Sequence, residues 1–186
     1  MPIRTMLLTG FFTAFMIISS YLVIPIGVVP HTLQPLMVLL TGIVLGPQYG
    51  PLSIMVWILL GCLGLPVFNQ GQAGIGMLLG PTGGFIIAFV AAAYIVGILT
   101  KQFARQNLIW QTTFSILAML VLYIIGAVGF MFNFSYFLHK PMTWEKTFAL
   151  AVAPFLPFDI IKAVVASYLG LKIRKALQAS GFTLEK

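Results

Sequence analysis

Ile109-Trp-Gln-Thr-Thr-Phe-Ser-Ile-Leu-Ala-Met-Leu-Val-Leu-Tyr-Ile-Ile-Gly-Ala-Val-Gly-Phe-Met-Phe132 contains no charged side chain. About 20 apolar residues in a helix cross the roughly 30 Å hydrocarbon core of a bilayer, so this stretch is long enough to span one alone. Three more segments read the same way, at residues 5–24, 83–100 and about 154–175. Between the first two, residues 36–45 and 52–65 are shorter than a relaxed span, and the turn Gly46-Pro-Gln-Tyr-Gly-Pro51 separates them. They form either two short helices or a re-entrant hairpin. In both cases they come as a pair, adding zero or two crossings and leaving the orientation of every later segment the same.

The composition agrees. The chain has 186 residues, of which 60% are hydrophobic and 7% charged, with a mean hydropathy of +1.07, against about 25% charged residues in soluble domains. This describes an all-α, polytopic membrane protein forming one domain over residues 1–186, with no room for an extramembrane enzyme domain. The only acids are Glu145, Asp159 and Glu185 and the only histidines His31 and His139, too sparse for a metal cluster or an acid–base pair. No nucleophile–base set is visible either, so an enzyme is not expected. Cys62, the single cysteine, sits in an apolar run and reads as a small core residue.

A net charge of +7 does not indicate nucleic acid, because the basic residues flank the apolar segments. With the N-terminus inside, Arg4, Lys101, Arg105, Lys172, Arg174, Lys175 and Lys186 are cytoplasmic, and only Lys140 and Lys146 are outside. That satisfies the positive-inside rule and places both termini in the cytoplasm. It also places residues 25–34, 66–82 and 133–153 on the outer side, with a short helix expected at 143–153. Prolines punctuate these loops, and helices start after them.

The tenth basic residue, Lys162, lies three positions after Asp159 in Pro154-Phe-Leu-Pro-Phe-Asp-Ile-Ile-Lys162, at the outer end of the last span. Each charge near a bilayer centre costs about 2.5–3.5 kcal/mol on insertion scales, so two of them on one helical face imply a function. They grip one ligand, or they grip each other as a structural ion pair that locks helices together. The loops that roof them carry Gly64-Leu-Pro-Val-Phe-Asn-Gln-Gly-Gln-Ala-Gly74 and Gly80-Pro-Thr-Gly-Gly84. Glycine lets backbone approach a ligand closely or simply makes a tight loop. Asn69 and Gln70 add amides. Thr32 and Gln34 stand at a helix entrance, where Thr32 also reads as a cap. His31 reads as loop packing, and Trp57, Trp110 and Trp144 as interface anchors or packing groups, Trp144 being the one best placed to stack on a ligand. Gly10 and Ala14 form a small-xxx-small pair on which another helix can pack, within this chain or from another subunit.

Five blocks in order, Pro30-x-Thr-Leu-Gln34, Leu45-Gly-Pro-x-x-Gly-x-Leu-Ser53, Gly61-x-x-Gly-Leu-Pro-Val-Phe68, Gly80-Pro-Thr-Gly-Gly84 and Pro154-Phe-x-Pro-x-Asp-x-x-Lys162, resemble the BioY family, the biotin-binding S components of energy-coupling-factor (ECF) transporters. The resemblance covers nearly the whole chain. It departs at Asn69–Gly74, less glycine-rich than the family's usual loop, and at His31, where an apolar residue is expected. It implies six transmembrane helices, the second and third short, in a bacterial plasma membrane. It further implies a high-affinity biotin pocket near the outer face, and partnership with a transmembrane coupling subunit and two cytoplasmic ATPases. Biotin is then the transported ligand, with no cofactor. Asp159 would accept a ureido N–H and Lys162 donate to the ureido oxygen, or Lys162 would instead hold the carboxylate. Phe68 and Leu33 would enclose the rings, Asn69, Gly71 and Gly74 would make loop contacts with Thr32 and Gln34 nearby, and Gly10 and Ala14 would dock on the coupling subunit. Within the same class, another small vitamin is the competing ligand.

Overall fold

The structure, a computed structural model, describes residues 3–24, 31–103 and 107–181. Pro25, Pro30, Arg105, Glu185 and Lys186 therefore lie outside the described residues. Seven helices follow in order: α1 (Ile3–Tyr21), α2 (Gln34–Cys62), α3 (Gly76–Leu79), α4 (Gly83–Phe103), α5 (Leu108–Tyr136), α6 (Trp144–Ala151) and α7 (Leu156–Ala179). A two-stranded antiparallel ribbon, β1 (Val23–Ile24) and β2 (His31–Thr32), joins α1 to α2 with Val23 opposite Thr32. The hydropathy pattern carries the first helix to residue 24, whereas α1 ends at Tyr21. Ile24 precedes a proline, which disfavours the helical region, and β-branched Val23 and Ile24 suit a strand.

The paired short segments lie side by side as two antiparallel helical arms, as both alternatives require. Helical hydrogen bonding runs along both arms of α2, but Gly46 breaks the helix between them at φ 75° and ψ −174°, a region open essentially to glycine alone. In a continuous helix Gly42 and Gly50 would stand about 12 Å apart. Here a Cβ on Gly50 would come within 2.9 Å of the Gly42 Cα, so the arms 34–45 and 47–62 fold back on one another. The expected turn at 46–51 is thus compressed to one glycine. Pro47 has no N–H to offer the Ile43 carbonyl. Arg174 of α7 fills that role, its guanidinium donating to Ile43 O at 3.1 Å.

Helices α2, α4, α5 and α7 pack in a ring, α7 closing it against α2, and α1 lies outside against α2. Between helices in lipid, association depends on close packing of small residues and on hydrogen bonds. Both are present. A Cβ on Gly42 would overlap Ala93 O of α4, and one on Gly84 would meet Gly129 Cα of α5 at 2.6 Å, so α4 touches both neighbours backbone to backbone. Ser115 and Ser167 hydroxyls join α5 to α7 at 2.8 Å, and Thr13 and Ser53 hydroxyls join α1 to α2 at 3.0 Å. Gly83 and Gly84, which read as loop glycines, belong to the first turn of α4, where Gly84 serves this packing and Gly83 makes room for the backbone of Leu78.

Helices α1, α4 and α5 are each long and apolar enough to cross a membrane, and the 29 residues of α2 meet the same test only when its two arms are counted together. The last segment differs from the expectation of an independent span, since α7 qualifies only together with α6, from which it is bent by 54°. Asp159, Lys162, Lys172, Arg174 and Lys175 lower its hydropathy. The chain is a multi-pass membrane protein.

Candidate functional site

Pro157 opens α7, where its missing N–H costs nothing, and puts Asp159 in the first turn, at the favourable end of the helix dipole. Lys162 Nζ donates to Asp159 Oδ1 at 2.7 Å, with side-chain exposures of 11% and 4%. The other carboxylate oxygen, Oδ2, accepts from the Tyr123 hydroxyl of α5 at 2.5 Å. A buried carboxylate is thus held between a cation and a phenol, and charge-assisted bonds of this kind are strongest in a dry site. Each oxygen retains a lone pair, and the ammonium retains two donors.

These groups form one wall of a cavity with about 590 Å³ of empty space, its open mouth included. Trp57, Phe68, Phe85, Ile86, Phe89, Leu122 and Phe155 give it apolar walls, and Thr32, Gln34, Asn69 and Thr82 add polar groups. Trp57 is fully buried. Its indole N–H donates to Val67 O at 2.8 Å, and its ring meets Phe68 edge-on at 5.1 Å. Gly61 makes room for that phenyl ring, since a Cβ there would overlap Phe68 Cζ. On the opposite side the Thr32 hydroxyl donates to Gln34 Oε1 at 2.9 Å and accepts from the Gln34 N–H. Gln34 Nε2 in turn donates to Ser20 of α1 at 3.0 Å. Thr32 therefore supports the helix entrance and lines the cavity at once.

Loop 63–75 is fastened at both ends. Gly74 N–H donates to Gly61 O at 2.8 Å, and Phe68 N–H to Gln72 O at 3.0 Å. The Tyr21 hydroxyl bonds the Pro66 carbonyl. Gln70, Gly71 and Gly74 all have positive φ, at 56°, 75° and 92°. Gly71 and Gly74 shape this loop without lining the cavity, and Leu33 is 39% exposed rather than turned toward it. The structure thus brings together Thr32, Gln34, Phe68, Asn69, Asp159 and Lys162 in one cavity. His31 stacks on Phe155 at 4.0 Å and shares a hydrogen bond with Pro154 O at 3.2 Å, packing the ribbon against the start of α7.

Sequence reading misses Tyr123, Trp57 and Phe89. Tyr123 carries a faint signal, a hydroxyl in the middle of an apolar span that must find a partner when buried. Trp57 lines the cavity, whereas Trp144, the tryptophan expected nearest a ligand, is 58% exposed on α6. Gly10 and Ala14 face outward from α1, and a Cβ on Gly10 would meet nothing within 4 Å.

A protein-family model described as the BioY family matches residues 1–179. The chain is 34% identical over 172 residues to the biotin transporter BioY of Thermotoga maritima, covering 92% of this chain and 96% of that protein. It is 37% identical over 174 residues to the probable biotin transporter BioY of Pyrococcus horikoshii, covering 94% and 98%. Its fold superimposes with a TM-score of 0.83, at 30% identity and covering 93% and 92% of the two chains, on the crystal structure of the S-component for biotin from an ECF-type ABC transporter. Matched along nearly their full lengths in sequence and in fold, these proteins settle the lineage that the five sequence blocks suggest: the chain belongs to the BioY family.

Proposed function

We propose that this chain is the biotin-binding specificity subunit of an ATP-driven, ECF-type vitamin uptake transporter of the bacterial plasma membrane. The observation that carries this reading is the Asp159–Lys162–Tyr123 cluster on the wall of an otherwise aromatic and aliphatic cavity. One edge of biotin's cyclic urea presents an N–H and a C=O side by side. The ion pair presents an acceptor and a donor side by side. Asp159 accepts the ureido N–H, Lys162 donates to the ureido oxygen, and Trp57, Phe68 and Phe89 enclose the ring system. The prior engagement of Lys162 with Asp159 favours this pose over one in which Lys162 holds the carboxylate, because the second pose would pull the ammonium from a buried counter-charge. Asn69, Thr32 and Gln34 supply the polar groups of the cavity, and Gly71 and Gly74 shape a loop that closes over the ligand.

In this reading the two arms of α2 each cross the bilayer, giving six crossings with α1, α4, α5 and α7, and both termini are cytoplasmic. Transport needs a transmembrane coupling subunit and two ATPases, which supply the hydrolysis this chain lacks. Gly10 and Ala14 are the docking face for the coupling subunit. Gly10→Leu with Ala14→Leu is expected to leave biotin affinity within about twofold of wild type, because both positions are exposed and far from packing constraint. The same pair is expected to abolish co-purification with the coupling subunit, since a close-packed helix contact cannot accept two bulky side chains. Retained assembly would move the docking face elsewhere.

The function itself is tested by mass spectrometry of small molecules released from the purified chain, followed by calorimetric titration. Biotin in near-stoichiometric amount is the expected finding. A different vitamin, or a clean cavity that ignores biotin, would refute the assignment.

A further inference from the structure

Helix α6 has a wider apolar arc than the protein beneath it. Thr147 and Ala151 are buried against the bundle, at 0% and 1% exposure, while Trp144 and Phe148 stay 58% and 55% exposed. With about 3.6 residues per turn, Trp144 and Phe148 stand side by side next to the buried stripe, and Glu145 and Lys146 lie on the far side. The uncovered apolar surface is therefore aromatic on one flank of the buried stripe and carries half-exposed Leu150 on the other, and Glu145 and Lys146 lie across from the stripe.

The position of α6 follows from its neighbours. It links the end of α5, a membrane-crossing helix, to the start of α7, with which it passes the same test only jointly, and its Ala151 lines the cavity, so it forms the end of the last span that borders the cavity. Its axis departs from that of α7 by 54°, which tilts it away from the direction of the span. Amphipathic helices with an aromatic face and a charged face lie in the interface plane, where tryptophan is favoured. We propose that α6 is a membrane-interface anchor: Trp144 and Phe148 sit at the headgroup–acyl boundary of phospholipids, Glu145 and Lys146 face water, and the lipid surface thereby holds the roof of the cavity. The roof is the elbow after α6. Ala151 and Phe155 line the cavity, and His31 stacks on Phe155.

Fluorescence quenching in ligand-free proteoliposomes tests the placement without reference to biotin. Trp110→Phe removes the other exposed tryptophan, which lies at the start of α5, and fully buried Trp57 supplies a constant background. The Trp144 contribution is the difference between Trp110→Phe and Trp110→Phe/Trp144→Phe. It should be quenched most by phosphatidylcholine brominated near the headgroup end of the acyl chains. Strongest quenching by aqueous iodide would put α6 in water, strongest quenching by bromines at the bilayer centre would make it part of a span, and either overturns the proposal. The link to the roof rests on the biotin reading and has its own measurement. Trp144→Ser with Phe148→Ser should speed biotin dissociation from proteoliposomes by roughly tenfold, as expected for a loosened lid. An unchanged rate in a folded variant would refute the link while leaving the placement to the quenching result.

Discussion

Asp159→Asn is expected to weaken biotin binding by about 2–3 kcal/mol, roughly 30- to 150-fold, the range for a buried charge-assisted hydrogen bond that loses its charge. The amide keeps the size of the carboxylate and leaves the walls of the cavity in place. It removes the counter-charge of an ammonium whose side chain is only 11% exposed. Lys162→Ala is expected to cost at least tenfold in affinity, leaving Asp159 with the Tyr123 hydroxyl as its remaining side-chain partner among the described residues. A purely structural ion pair makes a different forecast. Removing both charges together, as in Asp159→Asn/Lys162→Met, should restore most of the stability lost by either single change, because no uncompensated charge remains. Affinity should stay lost. Calorimetry beside thermal unfolding of the three variants separates the roles, and a double variant that binds biotin like wild type would remove the pair from the site.

A large effect on stability is expected where α4 and α5 meet. A Cβ on Gly84 would lie 2.6 Å from Gly129 Cα, and one on Gly129 would overlap Gly84 Cα. Backbone cannot swing aside as a side chain can. Gly84→Ala or Gly129→Ala must push the two helices apart, at a cost of about 1–3 kcal/mol typical of overpacking. For a chain of this size that corresponds to a fall in Tm of about 3–10 °C. Thr82, Phe85 and Ile86 stand on one side of this contact and Tyr123 on the other, so the cavity widens with it. Biotin affinity should fall by roughly tenfold as a result. The double variant should cost less than the sum of the singles, since one displacement relieves both clashes. Wild-type Tm and affinity in both single variants would contradict the contact.

Much of the architecture is legible in the chain because a bilayer imposes simple demands. Apolar runs must be long enough to cross it, and charges must have a reason to enter it. The uncharged run from Ile109 to Phe132 and the Asp159–Lys162 pair follow from those demands alone. Other features need three dimensions. Gly84 in sequence is one glycine of a loop-like cluster, and only its distance to Gly129 distinguishes helix packing from ligand approach. The reversal at Gly46 depends on one φ angle that a Gly-Pro pair permits without requiring. Tyr123 and Asp159 are brought together by the packing of α5 on α7, and no local spacing encodes that contact. Trp57 and Trp144 look alike as tryptophans near apolar segments. Burial makes the first a cavity wall, while the second stays exposed on α6.

The central claim is that the ureido edge of biotin lies against Asp159 and Lys162. Competition binding to the detergent-solubilised wild-type chain tests it most directly, with biotin, a biotin amide lacking the free carboxylate, and diaminobiotin lacking the ureido carbonyl. The amide should bind within about tenfold of biotin, and diaminobiotin should lose on the order of a thousandfold or more, because a buried polar site rejects a ligand that leaves it unpaired. The reverse order, with diaminobiotin retained and the amide lost, would put the carboxylate on Lys162 and contradict the account.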